Sequence, residues 1–539
     1  MSSPSTERQH AFGSGRTVAV IGAGISGVCA AAHLIKQGLQ VTVFERSSIS
    51  GGVWHYDERV TEDPPYPNNT PSRGDYPVSK PGEYAYATPP PEHDTTAGDE
   101  AANLECIQTA TDLEVHFAPP SPCYAGLKNN VPTPVMVSSL GPWPEGTEPF
   151  VSQDHVEKYV QTLASTHGVN AVTSFHTRVD EIRKTSDGTK WEIRLVALEK
   201  RDTGPRLAER TSNFDLVVVA TGHYNMPRIP DTEGLKEWKE RYPGRVIHSK
   251  QYRSPDPYRG RNILIIGAGV SANDICRESD GVAAKTYQSV RGGKFDLPAS
   301  LAPESVVRVS EVARFEPCLS GNGDAARQLQ QLDDEAPIPG KVVLKDGQVL
   351  EDIHHVILAT GYITSYPFLP QLHSDDRPNA EAGEDIVVAA EGDMAHNLHR
   401  DIFYINDPTL AFVGVPYHVA TFSLFDFQAQ AIARAFAGKA RFPSREEMRR
   451  DYAKRVEEKG FGRDFHSLHA RGGELEYVQG LVDWVNSYAA EVGEEPMLGH
   501  SEEWKQRYHE MKTRTLELFK WSKDPDASQE GGGQEQKTE

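Results

Sequence analysis

This 539-residue sequence predicts an α/β protein of two three-layer units, each on a parallel sheet, with the second inserted into the first. Three observations carry that reading. An apolar run, a glycine-rich turn and a helix-patterned stretch occur in that order in RTVAVIGAGISGVCAAAHLIKQGLQVTVFER, beginning at residue 16. The same order returns in RNILIIGAGVSANDICRESDG, beginning at residue 261. Helix and strand patterns also alternate around them, as in SQDHVEKYVQTLASTHG, FDLVVVATG and HHVILATG. Strands and helices in alternation call for a parallel sheet covered on both faces.

The elements follow in order. Residues 1–16 are polar and read as a disordered N-terminus. Residues 17–225 form the first part of the first unit, interrupted at 57–120 by a Pro-rich, acidic insertion with some helix near 100–112. A structureless stretch of that length is unusual inside a compact domain, so it is placed over the surface. Ser152 is a good N-cap for the amphipathic helix that follows. Residues 226–334 form the inserted unit, and 335–440 complete the first. In KVVLKDGQVLED the Asp-Gly pair predicts a hairpin. Residues 441–523 read as charged C-terminal helices packed over the first unit. Residues 524–539 read as a disordered tail.

Totals narrow the function. Hydrophobic residues at 38% and charged residues at 25% suit a water-facing globular chain. A net charge of −21 repels phosphate backbones and anionic lipid, which argues against nucleic-acid and membrane partners. No apolar run reaches the roughly 18 residues of a membrane helix, and MSSPSTERQHAFGSGR has no hydrophobic signal core. The five cysteines (Cys29, Cys106, Cys123, Cys276, Cys318) are far apart, which fits unpaired thiols in a reduced, cytoplasmic compartment. Without a CxxC, dithiol redox chemistry is not expected, nor is a metal site.

The two glycine turns carry the chemistry. In the first, Gly22 permits the tight turn, Gly24 lets backbone approach a pyrophosphate, and Gly27 lets helix and strand pack closely. Glu45 ends the next strand, where a carboxylate accepts from ribose hydroxyls and repels a 2′-phosphate. In the second, Gly267 and Gly269 repeat the turn, and Ala272 takes the third position. Arg291 ends the following strand, and a guanidinium there can hold a 2′-phosphate by a bidentate contact. The residues thus predict one site for FAD or NAD and one for NADPH. Each feature has a plainer reading. A lone GxGxxG is often only a turn, and Arg291 could be a solvated surface arginine.

Beyond these turns, the sequence resembles the flavin-containing monooxygenases. YPGRVIHSKQY, residues 242–252, is similar to their FxGxxxHxxx(Y/F/W) motif through Gly244, His248 and Tyr252, with Tyr242 where Phe is usual. GGVWHY matches their GGxW through Gly51, Gly52 and Trp54. VVVATGHYNMPRIP and VILATGYITSYPFL match their two ATG segments. YAGLKNNVPTPVM is similar to their YxxLxTNxP segment, with Asn129 replacing Thr and Asn130 kept. LAFVGVPYHVATFSLFDFQAQAIA resembles their flavin-closing segment. The likeness covers roughly residues 17–440.

The resemblance implies FAD and NADPH as cofactors, with a small-molecule substrate and O2 as partners; a homodimer stays open. It implies that NADPH reduces FAD and that a C4a-hydroperoxyflavin forms. That species would then oxygenate a soft nucleophile, nitrogen or sulfur. Beside the glycines, Glu45, Ala272 and Arg291, the cofactor-binding positions it suggests are Ser26, Arg46, Gly52, Val53, Trp54, Thr221, Gly222, Ser271, Thr360, Gly361 and Gln428. Asn130 and His248 are its candidate catalytic residues. Asn130 would be a neutral amide donor, with a turn-forming Asn as the alternative. His248 would hold the nicotinamide cofactor rather than act as a proton-transfer base, with a buried structural His as the alternative. Two readings compete: a Baeyer–Villiger monooxygenase acting on a ketone, and an uncoupled NADPH oxidase. The chain ends in GGGQEQKTE rather than an apolar segment, which predicts a soluble protein. Whether the 57–120 insertion caps the substrate entrance or is a surface excursion stays open.

Overall fold

The computed structural model describes residues 12–83, 110–201, 204–317, 336–470 and 472–519. The expected termini therefore lie largely outside the described residues, as do Cys106, Cys318 and much of the 57–120 insertion. Where that insertion is described it ends in helix α2 (Ala110–Phe117); most of the helix expected near 100–112 lies outside the described residues.

The first sheet is built on the strands Thr17–Ile21, Gln40–Phe44, Leu216–Val219 and Leu410–Phe412. They pair in parallel, with Thr17 opposite Gln40, Val18 opposite Leu216 and Val217 opposite Leu410. Such strands are buried on both faces and need continuous apolar runs, which TVAVI and LVVV supply. Helix α1 (Ile25–Lys36) covers one face, and helix α3 (Gln153–Thr166) packs beside it. A three-stranded antiparallel sheet, Thr177–Lys184, Trp191–Arg201 and Gly204–Phe214, extends this unit.

Helix α4 (Leu235–Arg241) leads into the second sheet. Its strands are Val306–Val309, Lys285–Ser289, Asn262–Ile266, His355–Leu358 and Val246–His248, in that spatial order and all parallel. Helix α5 (Val270–Ser279) packs on it. The strand His355–Leu358 lies inside this second sheet, beside Asn262–Ile266. Ending the inserted unit at residue 334 therefore places it too early; pairing carries that unit to Leu358. The hairpin Gly340–Leu344 and Val349–Leu350 also belongs there, and Gly347 adopts φ +89° in its turn.

The chain crosses between units twice, and the crossings lie side by side: Met226–Pro227 pairs antiparallel with Tyr362–Ile363. Helix α6 (Thr421–Phe436) then packs on α1, and helices α7 (Arg445–Lys459), α8 (Gly473–Ala489) and α9 (Glu502–Phe519) follow. This C-terminal region packs on the first unit, and it also reaches the inserted unit, where α9 meets Ala299–Leu301 and Asp464 accepts from Lys294 (2.7 Å). Asp401, fully buried, receives a bidentate pair from Arg455 (2.7 and 2.7 Å) and a third bond from His466 (2.8 Å). Burial would raise the Asp401 carboxyl, but Arg455 and His466 hold it well below the carboxylate range. Removing one partner of a buried charge cluster strands the others. Asp401→Ala should therefore cost about 3–5 kcal/mol, read from the denaturant midpoint; a loss near zero would show that the cluster does not anchor the region.

Cys29, Cys123 and Cys276 are free thiols, all buried. Among the described residues, no helix is long and apolar enough to cross a membrane, and no metal-binding cluster is present.

Candidate active site

At the first glycine turn, Gly22 sits at φ +101°, and a Cβ there would lie 2.8 Å from the Ala220 carbonyl oxygen. A Cβ on Gly27 would fall 1.9 Å from the Gly22 oxygen, so only glycine lets α1 sit on this turn. Gly24 is the N-cap of α1 and is extended (φ −70°), with no side chain capping the helix. Backbone donors at that end receive no side-chain cap, and a helix N-terminus favours an anion. Opposite stands Gly52, whose Cβ would come within 2.8 Å of the Gly24 Cα. The GGVW turn is tied on by Gly51 N donating to Ala23 O (3.1 Å).

Glu45 is buried at the end of its strand, accepting from Ala23 N (2.7 Å) and Ser47 N (2.8 Å). Each of its oxygens keeps a second lone pair for a hydroxyl donor. Ser26 is buried in α1 beside Gly414, Val53 is exposed, and Trp54 is half-buried, its ring T-shaped to Phe422 at 6.5 Å. Thr221 accepts from Asn225 Nδ2 (2.9 Å), and Gly222 turns at φ +67°. A glycine cradle, an uncapped helix and a strand-end carboxylate fit the adenosine and pyrophosphate of a dinucleotide.

The second turn repeats this geometry. Gly267 adopts φ +126°, and its Cβ would meet the Ala359 oxygen at 2.4 Å. Gly269 caps α5, with nothing within 4 Å of where its Cβ would lie. Ala272 is fully buried against the sheet, whereas Ser271 is exposed. Arg291 follows the strand Lys285–Ser289, which pairs directly with the glycine-turn strand. It is exposed, with no acceptor for its guanidinium among the described residues. Two further arginines gather near it. Arg228 has its pKa lowered by burial and by the nearby Arg291 and Arg463. Arg463 stands over the rings of Phe295 (5.0 Å) and Tyr417 (5.1 Å). Sequence reading missed both, because no local pattern links them to the glycine turns.

His248 lies where the two crossings meet. It is fully buried, and its Nε2 donates to Gly361 O (3.1 Å) while its Nδ1 accepts from Lys250 N (3.0 Å). A carbonyl only accepts, so this pairing fixes the neutral Nε2–H tautomer. Burial lowers its pKa to about 3. With both nitrogens engaged, His248 clamps backbone and has no free nitrogen to present to a substrate.

The rest of its segment works similarly. Lys250 Nζ donates to Asp75 (2.8 Å) and to Asn225 O (2.6 Å), and Gln251 reaches Asp63 (2.9 Å). Arg46 is fastened to the same Asp75 by two bonds of 3.1 and 3.0 Å. Its guanidinium thus braces Asp75 beside the position where the sequence places it as a cofactor contact. Burial would raise Asp75, but Arg46 and Lys250 pull it well below the carboxylate range.

The depressed His248 pKa has a measurable sign. Between pH 6.5 and about 3 the unfolded chain binds a proton that the folded site refuses. Its contribution is complete above pH 6.5 and is lost as pH falls toward 3. At about 1.4 kcal/mol per pKa unit, His248 alone should remove about 2–3 kcal/mol by roughly pH 4.5. Urea midpoints of flavin-free wild type and His248→Asn across that window test this; equal pH slopes would refute it.

Asn129 and Asn130 divide the work differently. Asn129 is buried, donating to Val131 O (2.7 Å) and Pro149 O (2.9 Å) and accepting from Val151 N (2.6 Å). It shapes the loop and leaves Asn130 exposed. In the second ATG segment, Thr360 Oγ1 donates to Arg228 O and Gly361 accepts from Arg228 N (2.9 Å). Gln428 is fully buried, accepting from Gly414 N (2.8 Å) and donating to Tyr477 (2.7 Å). It holds a strand end, and burial closes it to the cofactor contact expected of it.

Two dinucleotide cradles, one with a strand-end carboxylate and one with a free strand-end arginine, define a flavin- and nicotinamide-dependent oxidoreductase. The flavin-binding monooxygenase-like family matches residues 121–315 and 338–498, and an NAD(P)-binding Rossmann-like domain matches 20–79. The flavin-containing monooxygenase ustF2 of Aspergillus flavus is 39% identical over 90% of this chain and 95% of its own. Senecionine N-oxygenase of Tyria jacobaeae is 26% identical over 82% of this chain and 75% of its own. The structure of S-allyl-L-cysteine S-oxygenase from Allium sativum shares the fold, with a TM-score of 0.62 at 23% identity, covering 95% of this chain and 96% of its own. The chain belongs to the flavin-containing monooxygenase family. It is an FAD-dependent monooxygenase with FAD and NADPH as cofactors.

Proposed function

We propose that this protein uses NADPH and O2 to oxygenate a nitrogen or sulfur atom of a small molecule. One observation carries the reading: the two cradles differ in charge where a 2′-phosphate would lie, with Glu45 at the first and Arg291 at the second. The names of the N-oxygenase and the S-oxygenase above support the two target atoms.

When bound, FAD supplies hydride acceptance and reactivity toward dioxygen. The chain's residues do the rest. Gly24, Gly52 and the uncapped end of α1 hold the pyrophosphate, and Glu45 orients the ribose. Arg291 selects NADPH. Asn130 offers a neutral N–H donor beside the reacting centre without supplying a base. His248 stays neutral and keeps the two crossings together, so no proton is exchanged through it.

The purified protein should consume NADPH and O2 and convert a tertiary amine or thioether into a product one oxygen atom heavier. An ester formed from a cyclic ketone would instead support Baeyer–Villiger chemistry. Peroxide equal to the NADPH consumed, whatever compound is offered, would make it an oxidase.

A further inference from the structure

The loop that carries Asn130 is fastened to both units. At its start, Ser121 donates to His55 O (2.9 Å) and the Cys123 thiol lies 3.7 Å from Trp54 O, tying it to the GGVW turn. At its end, Gln153 N donates to Leu127 O (2.9 Å), and the Asn129 bonds described above hold it to the first unit. Between these points it reaches across. Tyr124 donates to Asp274 Oδ2 of α5 (2.9 Å), and Ala125 N donates to Arg253 O (2.9 Å). The Tyr124 ring meets Tyr252 edge-on at 5.6 Å. Gly126 lies so close to α5 that a Cβ would fall 1.7 Å from Glu278 Oε1. The other oxygen of Glu278 accepts from Tyr252 (2.7 Å).

Helix α5 begins at the second glycine turn, so an occupant of that turn bears directly on its N-terminal end. We propose that Tyr124 and Asp274 form a positioning link that sets the place of Asn130 according to where α5 sits. The proposal rests on the monooxygenase reading above. Tyr124 is a positioning residue: it acts through the loop, on a residue six positions further on. The turn closed by Leu127 N donating to Tyr124 O (3.1 Å) makes the span short and stiff, so a shift at Tyr124 is passed on rather than absorbed. A hydrogen bond to a carboxylate is strong enough to couple the two. Burial raises Asp274, and the Tyr124 hydroxyl opposes that shift.

Tyr124→Phe keeps the ring and its contact with Tyr252 and removes only the hydroxyl. In the wild-type holoenzyme, adding NADP+ should slow amide exchange in peptides spanning 121–131. In Tyr124→Phe that slowing should shrink at least threefold, while residues 262–280 keep theirs. Flavin content and the KM for NADPH should stay within twofold, and peroxide released per NADPH should rise at least threefold. Asp274→Asn keeps an acceptor oxygen and should behave like wild type; Asp274→Leu should match Tyr124→Phe. An unchanged NADP+ response in Tyr124→Phe, or exchange raised equally with and without NADP+, would overturn the link. Wild-type turnover yielding only peroxide would overturn the monooxygenase reading instead. The exchange response is measured without turnover and still decides the link.

Discussion

Gly24→Ala should give a folded protein that holds no flavin. The nearest protein atom to the added Cβ is the Gly52 Cα, at 3.4 Å, an ordinary contact, and the backbone at Gly24 is extended. The flavin-free variant should therefore lose no more than about 1 kcal/mol, the scale of a helix-cap change. The bound pyrophosphate needs that same space for backbone approach. Flavin per protein should fall more than tenfold, while the thermal midpoint matches that of flavin-stripped wild type. Gly27→Ala makes the contrast. Its Cβ would sit 1.9 Å from the backbone oxygen of Gly22, which cannot yield, so that variant should fail to fold. A yellow, fully loaded Gly24→Ala would mean the pyrophosphate does not approach at Gly24.

Arg291→Ala should collapse the preference for NADPH over NADH. The side chain is exposed, no acceptor among the described residues uses it, and it follows the strand beside the second glycine turn. A charge-assisted contact to phosphate contributes about 1.5–3 kcal/mol. The ratio of kcat/KM values for the two cofactors should therefore drop about 10- to 100-fold, mostly through KM for NADPH. An unchanged ratio would move the 2′-phosphate contact to Arg228 or Arg463.

What was legible in the sequence was what is local. A glycine turn encodes its demands within six residues, and the structure gives each of Gly22, Gly27 and Gly267 a backbone oxygen that a Cβ would strike. Sheet membership is not local. HHVILATG ends in the same apolar-run-plus-ATG pattern as FDLVVVATG, and nothing in its composition says that it pairs with Asn262–Ile266. The same limit hid the partners of polar side chains. Arg46 and Lys250 stand far apart in sequence and meet on Asp75. Gln428 looked available in a motif but is occupied by Gly414 and Tyr477. The sequence allows His248 two readings, cofactor holder or buried structural His, because the partners that engage both its ring nitrogens, Gly361 and Lys250, follow from the fold and not from a local pattern.

The paired crossings Met226–Pro227 and Tyr362–Ile363 bear on how such a protein can be rebuilt. Paired strands run about 5 Å apart, so the inserted unit enters and leaves the first through neighbouring points on one ribbon. It is a cassette. A donor unit with the same two ends would also have to supply the bonds that Lys250 makes to Asp75 and Asp274 makes to Tyr124, so exchanging the module to change nicotinamide preference means carrying those side chains with it.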